Sequence, residues 1–150
     1  MIAYPDTSFL CALYVPQDNS VPAAAHYREM TEPIHVTALL LYEFRQSARF
    51  QTFLHMQDRR KGYPVAVAEK ALADLHANLA SGAVVIVSAD WPDVYAIAER
   101  LSAQSTGRGG HRAFDLLHVA TALTLGARQF LTFDANQRRV AETEGLKVKP

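Results

Sequence analysis

Residues 114–122 read FDLLHVATA, an apolar helix segment interrupted by one acid. Asp115 stands among Phe114, Leu116, Leu117, Val119, Ala120 and Ala122. An ionised carboxylate in such company costs on the order of several kcal/mol unless a partner, a hydrogen bond or a metal ion compensates it. The start of a helix favours a negative charge through its dipole. That explains the sign of Asp115 but not its apolar neighbours Val119 and Ala122. Just beyond this helix comes QFLTF (129–133), a β-type run, and then a second acid, Asp134.

The same alternation extends back to the first residue. Strand candidates are 1–4, 34–37, 83–88, 129–133 and 146–148. Helix candidates are 7–14, 21–31, 38–55, 65–81, 91–105, 112–126 and 135–144. Pro22 suits a first helical turn, and Gly82, Gly126 and Gly145 suit helix ends. DRRKGYP (58–64) and TGRGGH (106–111) read as loops. Short strands alternating with helices predict a single α/β domain over 1–150 with a central, mostly parallel sheet.

Composition narrows the class further. The chain has 150 residues, enough for one sizeable core, and its apolar fraction of 49% is ordinary for a globular protein. Fifteen basic and fifteen acidic residues balance to zero, so no global charge draws it to nucleic acid, although a local basic patch remains open. Cys11 is the single cysteine, which excludes an internal disulfide and fits a reducing compartment. No run approaches the roughly 18 apolar residues of a membrane span, and MIAYPDTSFL lacks the basic start of a signal peptide. A cytoplasmic protein without membrane contact is expected.

Three further acids share the ambiguity of Asp115. Asp6 in YPDTSFL follows the first strand and suits a helix N-cap. Asp134, with Gln137 three residues later, has the spacing of a capping box. Glu43, at helical spacing, shares a face with Leu39, Leu40, Ser47 and Phe50, or else pairs with Arg45 or Arg49 at the surface. Jointly they say more. Ligands of open α/β sheets bind beyond the carboxyl ends of the strands, where strand order reverses. Asp6 and Asp134 occupy such ends, and helices starting at that edge can bring Glu43 and Asp115 to it. Converging carboxylates repel unless they share protons or bind a cation. Oxygen-only ligands suit Mg²⁺ or Mn²⁺, which can activate water and neutralise charge on a phosphoryl group.

YPDTSFL, LLLYEFRQSA, RAFDLLHVATAL and FLTFDANQRRVAETEGLKV resemble, in order and spacing, the four acidic motifs of PIN-domain nucleases, in particular the short VapC-like toxins. The resemblance runs from residue 1 to about 148. It implies a PIN-like three-layer α/β/α sandwich and Mg²⁺- or Mn²⁺-dependent cleavage of RNA phosphodiesters. Asp6, Glu43, Asp115 and Asp134 fall on the catalytic and metal-binding acids, and Ser8 and Thr132 on supporting hydroxyl positions. It also implies a homodimer and a small antitoxin partner.

His118, three residues after Asp115, reads as structural or as a support for the site. TGRGGHR lacks the ending of a P-loop. It is expected to hinge the Asp115 helix, with Arg108 and Arg112 as candidate RNA-phosphate contacts. Tyr14, Phe50, Phe53 and Tyr63 read as core or interface, and Leu54, Tyr63 and Val65 as possible contacts for a partner helix. Two other classes of protein, one of them enzymatic, place acids at strand ends. A haloacid-dehalogenase-type phosphatase needs a second Asp where this chain has Ser8, and a receiver-like switch needs a lysine after a late strand. A catalytically degenerate PIN module that binds RNA or a protein is the remaining alternative.

Overall fold

The computed structural model describes residues 2–150. Within them the chain runs β1 (Ala3–Pro5), α1 (Thr7–Tyr14), α2 (Ser20–Glu29), β2 (Ile34–Val36), α3 (Ala38–Gln57), α4 (Val65–Ser81), β3 (Val84–Ile86), α5 (Trp91–Gly109), α6 (Ala113–Thr124), β4 (Gln129–Leu131), α7 (Ala135–Thr143) and β5 (Lys147–Lys149). Met1, included in the predicted first strand, lies outside the described residues.

The strands form one sheet in the order β3-β2-β1-β4-β5, every pairing parallel. From β1 the chain steps outward to β2 and β3. It then crosses back to β4 and steps outward to β5. Because such crossovers are right-handed, the two directions place their helices on opposite faces of the sheet. The packing agrees: α1 to α4 pack among themselves, as do α5 to α7. The result is the three-layer α/β/α sandwich expected, with an all-parallel sheet.

Each layer owes its place to buried apolar faces. Phe9 and Leu10 of α1, Leu40, Leu41 and Phe44 of α3, and Ala71 and Leu75 of α4 are buried on one side. Val94 and Leu101 of α5, Leu116, Val119 and Ala120 of α6, and Val140 and Ala141 of α7 are buried on the other. A Leu or Phe taken fully out of water contributes roughly 1.5–3 kcal/mol, so these faces hold the layers together far more than helix propensity does.

Pro5 shapes the edge that matters for the site. The Asp6 N–H donates to Leu131 O of β4 at 2.9 Å, so alternation along β1 turns Pro5 toward β2. Pro5 has no N–H to give. The pairing of β1 with β2 is accordingly registered at Ala3↔Ile34, whereas β1 follows β4 through three pairs. The point where strand order reverses lies between β1 and β4, with Asp6 at its carboxyl edge.

Strand ends differ from the sequence reading by one or two residues. The larger departure is TGRGGH. Expected as a loop and hinge, its first four residues continue α5 to Gly109. Gly110, at φ 64°, then ends the helix in the left-handed region, its N–H bonded to Thr106 O. At Gly109 any Cβ would collide with the folded-back ring of His111. These glycines terminate a helix closely; they do not loosen one.

Candidate active site

Asp6 caps α1 and is completely buried. Its Oδ1 accepts from Phe9 N–H (2.9 Å) and Ser8 Oγ (2.7 Å), and its Oδ2 accepts from Thr132 Oγ1 (2.7 Å) and Gln137 Nε2 (2.9 Å). A carboxylate has about four acceptor positions, and Asp6 uses all of them. Burial pushes its carboxyl above the usual range; the bonds from Thr132, Ser8 and Phe9 and the His118 charge oppose that rise without cancelling it.

Asp115 lies in the first turn of α6, its side chain 16% exposed at the rim of the buried face. Two partners compensate it. Arg112 Nε donates to Oδ2 at 3.4 Å, and Gln137 Nε2 donates to Oδ1 at 3.3 Å. The same Gln137 amide thus bridges Asp115 to Asp6. This answers the question posed by FDLLHVATA: the acid is paired at its first turn, not lost in the core.

Glu43 belongs to a second network. His118 Nε2 and Thr7 Oγ1 both bond its Oε2, and neither Arg45 nor Arg49 pairs with it among the described residues. Burial raises the Glu43 carboxyl, but the His118 bond and charge, the Thr7 hydroxyl and the Arg112 charge outweigh it and hold the group below its ordinary value. His118 is itself 1% exposed and sets its Nδ1 3.5 Å from Tyr4 OH, which lies 3.1 Å from Thr37 Oγ1. Burial drives the Tyr4 phenol far up, so it stays protonated. Glu43 and Asp115 meet across an open cavity lined also by Arg112, Ala113 and Phe114. Phe50, expected on the Glu43 face, is exposed and stacks on Phe53.

Asp134 caps α7, Oδ1 accepting from the N–H groups of Asn136 and Gln137 (2.8 and 2.9 Å). The capping-box reading fails in its second half. The Asp134 N–H goes to Thr132 Oγ1 (2.9 Å), and the Gln137 side chain turns inward to Asp6 instead. Ser8 and Thr132 lie 3.3 Å apart, and Phe133 N–H donates to Ser8 Oγ. Arg108 does not reach this cavity; it lines a separate groove with His111 and Arg139.

Among the described residues no three His, Cys, Asp or Glu side chains form a ready-made cation cluster. The donor chemistry around Asp6 and Asp115 nevertheless suits a hard divalent ion. Both acids offer oxygen, a bridging N–H₂ occupies the space between them, and the oxygen of that same amide, Gln137 Oε1, is buried without a partner. Sequence reasoning had not counted Gln137, Thr7 or Tyr4 at the site. For Gln137 the sequence signals burial alone: with Val140 and Ala141 it repeats at helical spacing on the buried face of α7.

The family model described as "PIN domain" matches residues 3–143. No curated protein matches the chain. Among solved structures, VapC20 from Mycobacterium tuberculosis, a sarcin–ricin-loop-cleaving toxin, is 21% identical with a TM-score of 0.64, over 99% of both chains. VapBC-1 from nontypeable Haemophilus influenzae is 14% identical with a TM-score of 0.64, over 99% of this chain and 97% of that one. FitAcB from Neisseria gonorrhoeae is 17% identical with a TM-score of 0.62, again over 99% and 97%. At these identities the likeness is one of fold.

Proposed function

The chain belongs to the PIN-domain family, a family of nucleases, and from that premise we propose that it is a metal-dependent endoribonuclease acting as the toxin of a toxin–antitoxin pair. The observation that carries this reading is the Asp6–Gln137–Asp115 bridge at the point where strand order reverses, beside a cavity shared by Asp115 and Glu43.

Asp6 and Asp115 would hold Mg²⁺ or Mn²⁺, with Asp134 and Glu43 nearby, and the ion when bound supplies charge neutralisation at the phosphoryl oxygens and a more acidic water. The rest is the work of the chain. Glu43 is kept ionised, and both its bonds fall on Oε2. Oε1 is therefore the atom free to accept a hydrogen bond from the attacking water. His118 fixes the direction of that carboxylate from a buried position. Arg112, whose side chain is 83% exposed, stands at the cavity lip and offers a guanidinium to an incoming phosphate. Ser8 and Thr132 keep Asp6 in register across the two strand ends.

RNA is the substrate class favoured by the resemblance and by VapC20, a sarcin–ricin-loop-cleaving toxin of similar fold. A small antitoxin and a homodimer are part of the same proposal, supported by the exposed apolar residues Tyr42, Phe50, Phe53 and Met56 along α3. No helix among the described residues is long and apolar enough to cross a membrane; a cytoplasmic location is proposed with the function. The test is incubation of the protein with structured RNA, in Mn²⁺ and in chelator, followed by mapping of the cleaved ends. Defined cuts that need the cation are expected. No cuts in Mn²⁺ would overturn the enzymatic reading in favour of a degenerate binding module, and equal cutting in chelator would overturn metal dependence.

A further inference from the structure

Gln137 is 5% exposed and lies between two carboxylates. Its Nε2 donates 2.9 Å to Asp6 Oδ2 and 3.3 Å to Asp115 Oδ1, while its Oε1 is buried with no hydrogen-bond partner. An orphaned buried acceptor is costly to the fold. What offsets that cost is the repulsion between two acids, which the positive end of the amide dipole relieves without a cation.

That arrangement points the amide N–H bonds, not an oxygen, into the space a cation shared by the two acids would need. Mg²⁺ sits about 2.0–2.1 Å from its oxygens, well inside the distances at which Nε2 now donates. Some donor to Asp6 must yield. The Phe9 N–H is fixed in the first turn of α1. The Ser8 and Thr132 hydroxyls are tied in turn to the N–H groups of Phe133 and Asp134. The Gln137 amide alone can exchange by a half-turn about its terminal torsion, which is broad and two-fold. That half-turn carries the orphaned oxygen toward the position the nitrogen leaves.

We infer that Gln137 is a neutral oxygen ligand held in reserve: its N–H₂ bridges Asp6 and Asp115 while the site is free of metal, and its Oε1 turns in to coordinate the divalent cation. This rests on the metal-dependent reading above. An amide oxygen suits Mg²⁺ or Mn²⁺ as a hard donor. It adds coordination without adding a third negative charge that would strain the metal-free fold. A glutamate at 137 would bind the ion more tightly and repel Asp6 and Asp115 in its absence.

The experiment titrates the whole chain with Mn²⁺, counting free ion by electron paramagnetic resonance, for wild type, Asp6→Asn, Gln137→Met and Gln137→Glu. Thermal melting in chelator is recorded for each. Wild type is expected to bind in a manner that Asp6→Asn abolishes. Gln137→Met should bind about tenfold more weakly or worse, on the scale of lost metal-site partners. Gln137→Glu should bind more tightly than wild type yet melt lower in chelator. Because Gln137→Met empties a buried polar position and is at risk of misfolding, a Mg²⁺ titration of wild type followed by nitrogen-15 NMR gives an independent reading. The Gln137 side-chain N–H₂ signal should lose its carboxylate-bonded shift as the ion saturates. Binding by Gln137→Met as tight as wild type, or an N–H₂ signal unmoved at saturation, overturns the inference while leaving the metal reading intact. Absence of Asp6-dependent binding in wild type overturns both.

Discussion

The imidazole of His118 grips the carboxylate of Glu43 from inside the protein, joining α6 to α3 across 75 positions of chain. A buried His bonded to an acid at a cavity wall sets both the direction and the ionisation of that acid. Replacing it removes both at once, and cleavage and pH response read the loss in two ways.

In His118→Leu the apolar core keeps its volume, but Glu43 loses the chief of the partners that together outweigh its burial. Cleavage should fall about 10–100-fold, the usual range for a supporting residue behind a metal-site ligand. Stability should also change its response to pH. In wild type the Glu43 carboxyl is held below its unfolded value, so its contribution is present above that value and is lost as pH falls through the folded one. Without His118, burial is opposed only by the Thr7 hydroxyl and the Arg112 charge, so the carboxyl rises and the stability that Glu43 loses on acidification shrinks. Urea melts between pH 3 and 7 check this. An unchanged pH response in the variant would contradict the role given to His118.

Thr132→Val keeps shape and removes a hydroxyl that serves two groups. Asp6 Oδ2 loses a donor and the Asp134 N–H loses its acceptor. Thr132 follows β4 and Asp6 follows β1, and both are fully buried. The expected destabilisation is about 1–3 kcal/mol by urea denaturation, the cost of stranding buried polar groups. A change under about 0.5 kcal/mol, typical of unconstrained surface positions, would contradict the proposed network.

Arg112→Ala tests the cavity lip. Its bond to Asp115 is long and mostly solvated, so stability should move by less than about 1 kcal/mol. RNA binding should weaken, and the slope of log affinity against log salt should drop by about one. Arg108→Ala, in the separate groove with Arg139, should do less. Equal effects from the two substitutions would argue that RNA runs along the α5 groove instead.

Much of the fold was legible because its signals are local. The helix over 65–81 and its glycine stop at 82 were read to the residue, as apolar periodicity and an end signal agree there. The path of α5 to Gly109 was not, since two glycines look like a break. What overrides their propensity cost of about 1 kcal/mol each is tertiary: α5 packs along α6, and His111 folds back over the helix end. At the site, acids at strand ends could be located from sequence by their neighbours. Gln137 could not be assigned in the same way, because a residue three beyond Asp134 serves equally as a cap. Only the meeting of β1 and β4 brings it against Asp6.

The most direct test of the account is single-turnover cleavage of structured RNA in Mn²⁺ by wild type and by Asp115→Asn. The substitution keeps shape and the potential contact with Gln137 while removing one anionic oxygen. The account predicts a fall of about 100-fold or more, the scale of a lost group acting in the transition state, with near-ultraviolet circular dichroism unchanged. Mn²⁺-dependent cleavage by Asp115→Asn at the wild-type rate would contradict it, and would leave Asp115 as a first-turn structural partner of Arg112 and Gln137.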